Sequence, residues 1–191
     1  RSVSRGLGDV YKRQAYEVLT NLSSTKNNII LDFNYTASTR LILKQCGLSD
    51  EDIDNRLIKV HGEASNNDII FGVEDNAGIK KEHVFLRKAY NIKYKALNFS
   101  ELYDRIKSVA IFGHSLGETD HTYFNKLFQE SCMYNKFSTN NNKEFWLFYY
   151  KENGYHCMMQ QLDSLTHNSL TSFRQYNRVN FINTDKEKVF I

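Results

Sequence analysis

The chain has 191 residues, enough for one substantial hydrophobic core or for one domain and part of another. No stretch approaches the roughly 18 consecutive apolar residues of a membrane-spanning helix, so no membrane partner is expected. The 25 basic and 22 acidic residues leave a formal charge of +3. Arg1, Arg5, Lys12 and Arg13 against Asp9 supply all of it, so residues 15–191 are balanced and give no footprint for direct nucleic-acid binding.

Residues 1–14 lack an initiating Met and resemble the translated adapter read-through found at the ends of some assembled reading frames. They are set aside as a non-native leader, which leaves 15–191 as a partial α/β domain with its N-terminal part missing. Loss of a first βα unit leaves a sheet edge unpaired, so 15–191 alone is expected to be poorly soluble. Cys46, Cys132 and Cys157 are widely spaced and odd in number. That pattern argues against structural zinc or a disulfide framework and for a reducing cytoplasm. With no proline in the chain, element boundaries must be read from glycines and caps.

Tyr16, Val18, Leu19 and Leu22 fall at helical spacing and close a first helix. Asn28 to Phe33 reads as a strand leading into Asn34-Tyr35-Thr36. Thr36 or Ser38 caps the helix carrying Leu41, Ile42 and Lys44, which Gly47 ends. Ser49 to Asn55 reads as an acidic loop, and Arg56 to Val60 as a strand ending on His61-Gly62. Asp68 to Gly72 reads as a second strand paired with it in a hairpin. A His at a strand end before Gly is expected to be accessible and to suit a general base.

Two helices follow over Lys80 to Lys95 and Ser100 to Ser108. Val109-Ala110-Ile111-Phe112 suits a buried parallel strand, and Gly113-His114-Ser115-Leu116-Gly117 is the turn after it. Thr119 or Asp120 caps a helix whose apolar face is Tyr123, Phe124, Leu127 and Phe128. Phe137 to Asn142 is a loop, Glu144 to Tyr150 a strand and Lys151 to Gly154 a turn. Helices over Tyr155 to His167 and Leu170 to Tyr176 lead to a last strand, Val179 to Asn183. The alternation of strands and helices argues for an α/β sheet with helices on its faces.

The turn at Gly113 lies where open α/β sheets bind ligands, at the carboxyl end of a strand. Two chemistries fit it. As G-x-S-x-G it is a nucleophile elbow exposing Ser115, with Asp163 and His167 downstream in the order a serine hydrolase requires. As a phosphate-binding turn, Gly113 lets the backbone approach a nucleotide while Ser115 and nearby N–H groups donate to it. Asp163 and His167 lie four apart on one helix, and Glu118 to Asp120 replace the small residues that hydrolases pack there. Both features favour the second reading.

Asp32-Phe33-Asn34-Tyr35-Thr36, Val60-His61-Gly62 and the run from Ile111 to Phe124 stand in order and together resemble the AbiH family of bacterial abortive-infection proteins. Through that family the chain is distantly similar to sirtuin-type NAD-binding folds. The resemblance implies a Rossmann-like, mostly parallel sheet flanked by helices, in a phage-defence protein that binds, or binds and hydrolyses, NAD or a related nucleotide. It places Asn34 and His61 as catalytic residues. Thr36, Gly113, His114, Ser115, Leu116 and Asp120 become the cofactor-binding residues. Thr36 and His114 depart from the sirtuin pattern, and no paired zinc cysteines are present, so protein deacylation is not expected. A nucleotide sensor without turnover is the non-enzymatic alternative, and the phage trigger and any oligomer are unspecified.

Overall fold

A computed structural model describes residues 2–25, 27–73, 77–90, 103–133 and 142–185 of the chain. They fall into two compact units, one within residues 1–95 and one within 96–187. Every described strand pairing in either unit is parallel, so the expected α/β class with a parallel sheet and flanking helices is present.

In the first unit, helix α1 (Ser2–Ser23) precedes β1 (Ile30–Asp32), α2 (Ser38–Gln45), α3 (Asp50–Arg56) and β2 (Leu57–Lys59). Helix α1 takes in residues 2–14, set aside above as a leader, and continues through the helical spacing of Tyr16, Val18, Leu19 and Leu22. Strand β1 pairs β2 in parallel, Ile30 opposite Leu57 and Asp32 opposite Lys59. Leu43 of α2, Ile53 of α3 and Leu57 form the core, with Leu19, Ile30 and Leu48 packed against it. Full burial of each such side chain contributes roughly 1.5–3 kcal/mol. Arg56 fastens the end of α1 to the sheet by donating to the Leu22 and Thr25 carbonyls, at 2.8 and 2.7 Å, and to Asn28 Oδ1.

In the second unit, β3 (Ser108–Ile111), β4 (Glu144–Tyr149) and β5 (Arg178–Asn183) form a parallel sheet in that order. Helix α4 (His121–Ser131) joins β3 to β4, while α5 (Lys151–Leu165) and α6 (Leu170–Tyr176) join β4 to β5. Phe145, Leu147 and Phe148 are buried in β4, as suits a strand with both neighbours in place. Helix α4 buries Tyr123, Phe124, Leu127 and Phe128, the stripe read from the sequence. Phe128, Phe145 and Phe173 meet as a ring triad with centroids 4.8 to 5.6 Å apart, locking α4 and α6 to β4. At the amino edge of the sheet the buried Lys143 ammonium donates to the Tyr103 and Ile106 carbonyls, at 2.7 and 2.8 Å, and lies over the Tyr103 ring. Burial pushes the Lys143 amine below the ordinary lysine range and the Tyr103 phenol above the ordinary tyrosine range.

Several local expectations are corrected. Ser49 to Asn55 is helical from Asp50: Ser49 is an N-cap whose Oγ accepts from the Asp52 N–H at 3.1 Å. Arg40 pairs Asp50 and Asp54, and Lys44 pairs Asp50 at 2.8 Å, so the acidic run is neutralised across to α2. Neither Thr36 nor Ser38 caps α2; the N-cap position is Ala37, and the two hydroxyls bond each other at 3.0 Å. Asp68 to Gly72 forms no strand, and Val73 makes only a single parallel bridge to Arg87. Lys80 to Tyr90 holds two 3-10 segments, Lys81–Leu86 and Lys88–Tyr90, in place of one α-helix. Of the helix expected over Ser100 to Ser108, residues 104–107 are not helical and Ser108 already belongs to β3, while 91–102 and 134–141 lie outside the described residues. Lys151 to Gly154 is the first turn of α5 and not a separate turn, entered through Lys151 at φ 58°.

Candidate functional site

At the carboxyl end of β1 and β2 the first unit builds a buried polar cluster. The Asp32 carboxylate, fixed at the last residue of β1, receives Lys59 Nζ at 2.9 Å and the Asn34 N–H at 2.9 Å. Lys59 also donates to the carbonyls of Asn34 and Thr36 and stands 3.9 Å from Glu63. With five polar partners around it, the Asp32–Lys59 pair offsets the desolvation that a bare buried pair would leave uncompensated.

Asn34 and Thr36 are exposed on this turn, and the Asn34 amide donates to Asp32 Oδ1 at 3.1 Å. His61 is brought beside them, but it is 5 % exposed, not accessible as expected. The reason is aromatic packing: Phe33 meets its ring edge-on at 5.4 Å and Tyr35 stacks on it at 5.9 Å. Gly62 then turns the chain at φ 73°, with Asp68 closing over it so tightly that a Cβ would lie 2.1 Å from the Asp68 carbonyl oxygen. That contact, with Asp68 Oδ1 accepting the Glu63 N–H at 2.6 Å, holds 62–68 as a closed loop, and Asp68 to Gly72 does not follow it as the hairpin strand expected.

In the second unit the turn after β3 is fixed by two histidines around one leucine. Gly113 leaves the strand at φ 67°, a left-handed conformation that glycine takes without steric penalty. Leu116 sits at φ 55° with its side chain wholly buried. Its N–H donates to His114 Nδ1 at 2.9 Å, and its carbonyl oxygen lies 3.0 Å from His121 Nε2. The first bond leaves His114 Nδ1 without a proton, so the neutral ring carries it on Nε2, 3.3 Å from Asp120 Oδ2. The second needs a proton on His121 Nε2, which also faces Gln161 Oε1 at 2.9 Å. Phe124 of α4 packs edge-on against His114 at 5.2 Å. Asp120 occupies the N-cap position of α4 without capping it, after a 3-10 turn over Glu118–Asp120.

The pinned turn exposes what lies between its anchors. Ser115 is exposed, and a Cβ at Gly117 would approach Ser115 Oγ to 3.4 Å, so the glycine leaves that hydroxyl its room. Among the described residues, the amides of Gly113, Ser115 and Gly117 donate to no protein acceptor. Three N–H groups and a hydroxyl on a rigid turn at a strand's carboxyl end form a donor set for an anionic or hydroxyl-bearing ligand.

The same geometry removes what a hydrolase elbow needs. The left-handed residues are Gly113 and Leu116, not Ser115. His114 has both ring nitrogens committed, and His167 Nε2 lies 3.0 Å from the Gln129 amide nitrogen, from which it accepts. Neither ring is placed as a general base for Ser115.

Sequence reasoning groups Asn34, Thr36, His61, Gly113, His114, Ser115, Leu116 and Asp120 around one nucleotide; the last five lie on one turn of the second unit, and the first three at the strand ends of the first. It missed His121, legible only as a second histidine in the same polar word, and Lys59, which nothing marked as a turn-holding cation.

Parallel strands flanked by helices, with polar residues gathered at the strands' carboxyl ends, define an α/β protein. The chain belongs to the bacteriophage abortive infection AbiH family, matching it over residues 3–147. That span contains both turns, and membership assigns the chain an anti-phage, abortive-infection role. No curated protein and no solved structure matches the chain. No helix among the described residues is long and apolar enough to cross a membrane.

Proposed function

We propose that this abortive-infection protein binds a nucleotide, NAD first among candidates, through the turn at the carboxyl end of β3, in the Rossmann-like manner that the family resemblance implies. The observation that carries the reading is the donor set: the Ser115 hydroxyl and the Gly113, Ser115 and Gly117 amides, held by a turn that His114 and His121 keep rigid. Rigid donors lose little entropy on binding, which is how a short turn can contribute usefully to affinity. Asp120 is held against His114, while Glu118 remains as an exposed like charge beside an anion.

For NAD breakdown, the way such a protein would arrest an infected cell, the support is the family resemblance alone, which implies Asn34 and His61 as its catalytic residues. The test separates binding from turnover. Calorimetric titration of the whole chain with NAD should give saturable binding that Ser115→Ala weakens about tenfold, the value of one or two lost hydrogen bonds. Binding by wild type and variant alike would remove the turn from the site. Incubation with NAD then reads turnover in wild type, His61→Ala and Asn34→Ala. Equal breakdown by all three would defeat the catalytic assignment, and binding without breakdown would make the protein a nucleotide sensor.

A further inference from the structure

The carboxyl edge of the second sheet holds another feature, one strand beyond the turn. Tyr149 ends β4, Asn183 ends β5, and with Lys151, Glu152 and Tyr155 of α5 and Asp185 they line a cleft of about 450 Å³. That volume falls in the range of small-molecule sites. The cleft lies beyond the segment matched by the family, which ends at residue 147.

Its chemistry is specific. Tyr149 and Tyr155 have ring centroids 5.2 Å apart, and Phe181 supports Tyr155 edge-on at 5.4 Å, so an aromatic wall is fixed in place. Asn183 Oδ1 accepts the Asp185 N–H at 3.0 Å, which leaves its amide nitrogen as a donor at the cleft. Thr184 bonds back to the Tyr149 carbonyl through both its N–H, at 2.9 Å, and its hydroxyl, at 3.0 Å, which fixes the β5 end against β4. Glu152 and Asp185 supply two carboxylates, and Lys151, whose ammonium lies 5.0 Å over the Tyr150 ring, supplies a cation among the described lining residues.

Among the described lining residues the carboxylates outnumber the cations, which disfavours a phosphate. Carboxylates do accept hydrogen bonds from vicinal hydroxyls, a tyrosine ring stacks on a planar base, and an asparagine amide pairs with a purine edge. We infer that this β4–β5 cleft is a nucleoside subsite, taking the base and ribose of a purine nucleoside or nucleotide. The inference rests on the nucleotide reading above only in joining the two subsites to one ligand.

Adenosine is the probe, because it lacks the phosphates that the β3 turn would bind. Titrated calorimetrically into the whole chain, adenosine should bind saturably. Asn183→Leu should weaken it about tenfold, and Ser115→Ala should leave it unchanged. If circular dichroism shows Asn183→Leu misfolded, Asp185→Asn at an exposed position gives the same reading. No adenosine binding, or binding indifferent to both cleft variants, overturns the subsite. NAD binding lost in Ser115→Ala while the cleft variants bind adenosine normally sinks the cleft alone. Adenosine binding lost in the cleft variants with NAD indifferent to Ser115→Ala sinks the turn alone.

Discussion

Single residues carry much of what makes both turns possible. Leu116 adopts a left-handed backbone that costs a non-glycine residue about 1–3 kcal/mol, and complete burial of its side chain offsets that strain. Leu116→Ala keeps the strain and forfeits the burial, so urea denaturation should show a loss of about 3 kcal/mol. Ser115→Ala, on the exposed arc of the same turn, should stay within about 0.5 kcal/mol of wild type. Gly62 has no room for a side chain, so Gly62→Ala should destabilise by about 3 kcal/mol through its clash with the Asp68 carbonyl. Glu118 is exposed beside the donor set, and Glu118→Gln should tighten NAD binding only about twofold, as suits a screened surface charge.

At the scale of elements, legibility followed the strength of the hydrophobic pattern. The stripe Tyr123, Phe124, Leu127 and Phe128 and the run Phe145 to Phe148 were readable because burial dictates both, and the ring triad with Phe173 shows what they bury against. Phe173→Ala should therefore cost about 3–5 kcal/mol in the same denaturation assay. Helix α3 was not readable: its only buried residue is Ile53, and its support comes from the Ser49 cap and from Arg40 and Lys44 on another helix. Ile69-Ile70-Phe71 invited a strand, yet Gly62 and Asp68 hold the preceding loop closed, and Ile70 N–H bonds the His61 carbonyl instead of a ladder. The histidine itself misled for a related reason. Its position at a strand end was right, but the rings of Phe33 and Tyr35, in the same short word, enclose it. The β4–β5 cleft left no mark in the sequence because its lining joins Tyr149 to Tyr155, the adjoining β4 end and α5 start, to Asn183 and Asp185 at the far end of the next strand.

For the molecule as a whole, two units within one AbiH-family chain, each with parallel strands, place polar, turn-held residues at the carboxyl ends of those strands. Stability at alkaline pH reports on the second unit. Lys143 titrates below the ordinary lysine value when folded, so between its lowered pKa and that value the unfolded chain binds more protons and stability rises with pH. Tyr103, raised by burial, works oppositely, and above the ordinary tyrosine value stability falls. Lys143→Met deletes the first contribution, so the stability difference between wild type and variant should move in favour of wild type as pH rises toward the ordinary lysine value.

The central claim is that a nucleotide docks on the turn after β3, and NMR titration of the isotopically labelled chain with NAD tests it most directly. Docking there should give saturable shifts at the Gly113, Ser115 and Gly117 amides, with Leu116, already bonded to His114, moving less. Saturable shifts confined to other residues, or no shifts at millimolar NAD, would contradict it.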